Sequence, residues 1–71
     1  MKNLNYELVI YWDAADAIFV VEVPELPGCM AHGRTRRDAV RNAERAIAGW
    51  VQTAREDGAE IPLPRGKLMY A

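Results

Sequence analysis

A chain of 71 residues with a formal net charge of −1, one cysteine and one histidine has narrow options. It forms one domain at most, residues 1–71, and a domain this small buries only about 60% of the surface its unfolded chain exposes. The lone Cys29 excludes an intramolecular disulfide, and Cys29 with His32 falls short of the four ligands of a structural zinc site, so self-association remains as the way to add stability.

No apolar run approaches the roughly 18 to 20 residues needed to cross a bilayer, and the start MKNLNYELVIYW lacks the basic, apolar and cleavage segments of a signal peptide. With an unpaired thiol, this predicts a cytoplasmic protein. The small net charge conceals an asymmetry. Residues 34–55 hold six arginines against two acids, whereas residues 1–33 hold five acids against one lysine.

In chain order, Tyr6 to Trp12 is a β-branched, aromatic and aliphatic run that predicts a strand. Asp13-Ala14-Ala15-Asp16 is a short polar break, and Ala17 to Val23 resumes strand chemistry, so the two runs form an antiparallel hairpin. Pro24 and Pro27-Gly28 end the second strand, because proline lacks the amide hydrogen that a ladder needs. Cys29 to Arg34 is long enough for a short third strand.

Thr35 with Asp38 three residues on resembles a helix capping signature. Ala39, Val40, Ala43, Ala46, Ile47, Trp50, Val51 and Ala54 then recur at helical spacing and form an apolar stripe that covers a sheet. Gly58 is placed to stop the helix, and Pro62 and Pro64 keep it from resuming. Gly66 to Tyr70 supplies a last edge strand. The resulting fold is α+β in the order β-β-β-α-β, an antiparallel sheet of three to four strands with one helix across one face.

The first two strands are apolar in both registers, and one helix covers only one face of a sheet. Val9, Tyr11, Ile18 and Val20, with Trp12 at the strand end, therefore predict an interface for a homodimer or larger homo-oligomer.

The residues give no catalytic constellation, metal set or cofactor motif. Two-metal phosphodiester hydrolysis requires carboxylates that converge on ions about 3.5 to 4 Å apart, which the turn acids Asp13 and Asp16 and the proline-separated Glu22 and Glu25 do not specify. Cys29 and His32, three apart on a strand, point to opposite faces and make no thiol–base pair. Arg37, Arg41 and Arg45 recur every four residues, with Arg34 just before the cap. They form a positive helical flank suited to phosphates or an acidic protein. Asp38 with Arg41 and Arg41 with Glu44 have the spacing to pair, and no aromatic residue interleaves with the arginines to stack bases.

Leu26-Pro27-Gly28-Cys29, Gly33, Thr35, the run Ala39, Asn42, Ala43, Ala46, Ile47 and Trp50, and Asp57-Gly58 with Ile61-Pro62 and Pro64 together resemble the HicB-like antitoxin domain. The resemblance implies a degenerate RNase H-like β-β-β-α-β unit. It also implies a non-enzymatic module that binds and neutralises a small HicA-type toxin, a ribonuclease that cuts messenger RNA. In such antitoxins a C-terminal segment binds DNA; this chain reaches Ala71 soon after the expected last strand, so direct operator binding is not expected. Two alternatives stand beside toxin binding: a residual metal-dependent nuclease and a nucleic-acid-binding module that uses the helix arginines. The family commonly places Gly-Asp-Thr and then acids where this chain has Gly33-Arg34-Thr35-Arg36-Arg37, and glycines in the first hairpin turn where this chain has none.

Overall fold

The computed structural model describes residues 5–65. Three strands, β1 (Val9–Asp13), β2 (Ile18–Glu22) and β3 (Met30–Gly33), precede one helix, α1 (Arg36–Asp57). The strands pair antiparallel in the order β1-β2-β3. The α+β class and the single helix over an antiparallel sheet agree with the sequence reading; the strand expected over Gly66 to Tyr70 lies outside the described residues.

The hairpin turns through Ala14 to Ala17. Asp13 Oδ1 accepts the amide N–H groups of Ala15 at 3.0 Å and Asp16 at 3.2 Å, which satisfies the turn's backbone from a side chain. Ala17 completes the turn at φ 54°, in the left-handed region. The first strand is shorter than expected. Tyr6 leaves the ladder because its ring is buried with Val23, Leu26, Cys29 and Ile47 and its hydroxyl donates to the Pro62 carbonyl. The Glu7 amide donates to Glu25 Oε1 at 3.0 Å instead of to a strand.

Between β2 and β3 the chain makes a closed loop. Val23 N–H donates to the Cys29 carbonyl, Leu26 N–H to Val23 and Cys29 N–H to Leu26, each at 3.0 Å. Gly28 supplies the positive φ of 78° that the loop requires. The loop drops Leu26, fully buried, into the core.

α1 begins at Thr35, whose Oγ1 accepts the Asp38 amide at 3.0 Å, and ends at Gly58, whose left-handed backbone returns its N–H to the last carbonyls. The helix lies over β3 and β2. Ala39 and Ala43 bury against Val21, and Ile47 against Leu26 and Val23. Alanines at this contact let the helix approach the sheet closely. Trp50 and Val51 pack against the second of these clusters, and Trp50 Nε1 donates to the Pro27 carbonyl at 3.0 Å. Val40, placed on the covering stripe by its spacing, is instead half-buried between Arg36 and Arg41 on the outer flank.

Candidate interaction surfaces

Cross-strand partners share a face, so the register sorts the sheet's side chains into two sets. Ile10, Val21 and Ala31 form one row toward the helix, and Trp12, Phe19 and Gly33 the next. Val9, Glu22 and Met30, then Tyr11, Val20 and His32, then Asp13 and Ile18 face away from it. On that open face Val9, Tyr11 and Met30 are 39%, 42% and 53% exposed, around a Val20 that is only 9% exposed. A patch with a buried centre and apolar rim is available for protein contact. Tyr11 OH donates to Glu22 Oε2 at 2.9 Å across the strands, and that hydrogen bond raises the Tyr11 pKa above its ordinary value.

The sequence-predicted interface residues therefore divide. Val9, Tyr11, Ile18 and Val20 share the open face, and Trp12 lies on the opposite one. Met30 belongs to the open face and was not predicted. Its alternation with His32 along β3 carried the signal, but the sequence reading confined the interface to the first hairpin. The helix leaves β1 uncovered even on its own side, so Trp12 is 52% and Ile10 37% exposed there.

At that uncovered corner Trp12 meets Phe19 edge to face, with ring centroids 5.0 Å apart, and the Arg36 guanidinium sits 4.7 Å over the Phe19 ring. No aromatic residue interleaves with the arginines along the chain, and the fold brings Phe19 to Arg36 from another element. The hairpin supplies the rings and the helix the cation, a juxtaposition that local sequence does not contain. The remaining arginines spread across the helix. Arg37 and Arg41 join Arg36, Val40 and Glu44 on the outer surface; Arg34, Arg41 and Arg45 line a concavity of about 440 Å³ with Ile18, His32 and Asn42. Asn42 Nδ2 donates to the His32 carbonyl at 2.8 Å and fixes the helix against β3 there. Arg41 belongs to both regions and makes the basic surface continuous. Among the described residues none of Arg34, Arg37, Arg41 and Arg45 forms an ion pair, so the anticipated pairing of Arg41 with Asp38 or Glu44 is not made.

The strand-region acids do not converge. Asp13 serves the turn, and Glu22, paired with Val9 at the far end of β1, lies about 13 Å away by strand rise. Glu25 accepts from the Glu7 amide at 3.0 Å and the Arg65 amide at 2.7 Å, which holds its carboxyl below the ordinary glutamate range. Among the described residues no three His, Cys, Asp or Glu side chains cluster to hold a metal. Cys29 is buried in the core, where desolvation raises its thiol pKa, while His32 is exposed on the open face. The same residues include no helix long and apolar enough to cross a membrane.

Comparison with known proteins agrees with this architecture. UPF0150 proteins of Thermoplasma acidophilum and Synechocystis are each 34% identical over 59 residues, 83% of this chain and 84% and 80% of theirs. The crystal structure of the N-terminal domain of Burkholderia pseudomallei antitoxin HicB superposes with a TM-score of 0.71 at 30% identity, covering 84% of this chain and 69% of that one. Residues 6–69 match the HicB-like antitoxin of bacterial toxin-antitoxin system, and the chain belongs to that family.

Proposed function

We propose that this domain neutralises a small HicA-type mRNA-cleaving toxin by binding it, without catalysis of its own, and does so in the cytoplasm as a homo-oligomer. The observation that carries this reading is the family match over residues 6–69. The open sheet face supports it, because Val9, Tyr11, Ile18, Val20 and Met30 offer apolar surface to a second copy or to the toxin.

The test is co-expression with a toxin-like reading frame sought beside this gene, whose absence would count against the proposal. Restored growth and a co-purifying complex are expected, and Tyr11→Glu with Met30→Glu is expected to weaken either the complex or the oligomer. Persistent growth arrest with no complex would overturn the proposal. A monomeric mass at micromolar concentration would overturn its oligomeric part alone.

A further inference from the structure

We propose that the arginine band across the N-terminal half of α1 binds single-stranded nucleic acid without reading its sequence. Five arginines, Arg34, Arg36, Arg37, Arg41 and Arg45, occupy this surface against two carboxylates, Asp38 and Glu44. None of Arg34, Arg37, Arg41 and Arg45 is neutralised by an ion pair among the described residues. The surface thus offers guanidinium donors that meet phosphate oxygens without first breaking a bridge.

The aromatic corner selects the occupant. With Arg36 seated over Phe19, the guanidinium face is taken up by the ring and its N–H edge is left for an oxygen acceptor. Beside it Trp12 is 52% exposed and held by Phe19, the arrangement of a platform for an unpaired base. A run of carboxylates uses the arginines but brings no flat ring to the indole, and a duplex keeps its bases stacked away from it. Arg36 to Arg45 spans about 14 Å of helix rise, enough for about three or four phosphates.

The test is fluorescence anisotropy of a short labelled oligouridylate and its deoxy counterpart titrated with the protein between about 50 and 200 mM salt. The expected slope of log affinity against log salt is about −2 to −3, at about 0.7 per phosphate contact for a single strand. Arg37→Glu with Arg41→Glu is expected to weaken binding at least tenfold and to flatten the slope by about 1.4. Trp12→Ala is expected to weaken binding about fivefold or more with the slope unchanged, since it removes stacking and no charge. Arg55→Glu, near the far end of the helix, leaves the affinity as it was.

No binding at the lowest salt, a slope near zero, or indifference to the paired charge reversal would each overturn the proposal. So would duplex or polyglutamate that competes as well as the oligonucleotide. The salt slope is read on the unsubstituted protein, so a variant that fails to fold does not obscure the outcome. No toxin enters the assay, and its result stands apart from the growth test.

Discussion

A Cβ placed on Gly33 would lie 2.4 Å from the Ala39 amide nitrogen and 2.8 Å from the Asp38 carbonyl carbon. Both are backbone atoms of the first helical turn, so no side chain can swing aside. This contact sets how closely β3 and α1 approach, and it explains why glycine precedes the capping Thr35. Gly33→Ala forces strand and helix apart and is expected to cost about 2 to 3 kcal/mol, the upper range for overpacking. Thermal unfolding by circular dichroism would show a Tm lower by about 10 °C or more. Thr35→Ala, which removes the cap but moves nothing, is expected to cost only about 1 kcal/mol.

Ala17 has the opposite fault. Its φ of 54° crowds the Cβ against the backbone, at about 1 to 2 kcal/mol for an L-residue, while the pairing of Asp13 with Ile18 requires the turn. Ala17→Gly relieves that strain and loses part of the gain to the greater freedom of the unfolded chain. A net stabilisation of about 0.5 to 1 kcal/mol is expected, seen as a Tm a few degrees higher. An unchanged or lower Tm contradicts it.

Local chemistry made the helix ends and the hairpin legible. Thr35 and Gly58 cap α1 because each satisfies the backbone groups a helix end leaves unpaired, and Asp13 makes its turn from its own side chain. The arginine surface was only half legible. At 3.6 residues per turn each four-residue step advances about 40°, so Arg37, Arg41 and Arg45 do not stay on one flank. Arg37 remains near Arg36, while Arg45 turns toward Arg34 and His32 beside β3. The place of Arg36 was not legible at all, because Phe19 reaches it from another element through the sheet register.

Cys29 lies 5% exposed among Tyr6, Val23, Leu26 and Ile47, and desolvation raises its thiol pKa. Thiolate is the reacting form, so both access and ionisation slow its modification. In native buffer a disulfide reagent is expected to react far more slowly than with a free thiol peptide, and the rate rises to the peptide value through the denaturant transition. Fast modification of the folded protein would mean that the core around Leu26 opens readily.

Glu25 ties three distant segments together, with one oxygen on the Glu7 amide ahead of β1 and the other on the Arg65 amide beyond the helix. These hydrogen bonds favour the charged carboxylate and lower its pKa on folding. Near that pKa the unfolded chain binds the proton more readily, so stability rises with pH across the window. The contribution is complete above the ordinary glutamate range and is lost as pH falls through the lower folded value. Glu25→Gln keeps the shape but cannot accept from both amides. Its Tm is expected to fall below that of the unsubstituted protein at neutral pH, with the gap closing as acid carries the pH below the lowered Glu25 value, where both side chains are neutral. A gap constant from neutral to acid pH would assign the loss to geometry alone and remove the charge from the account.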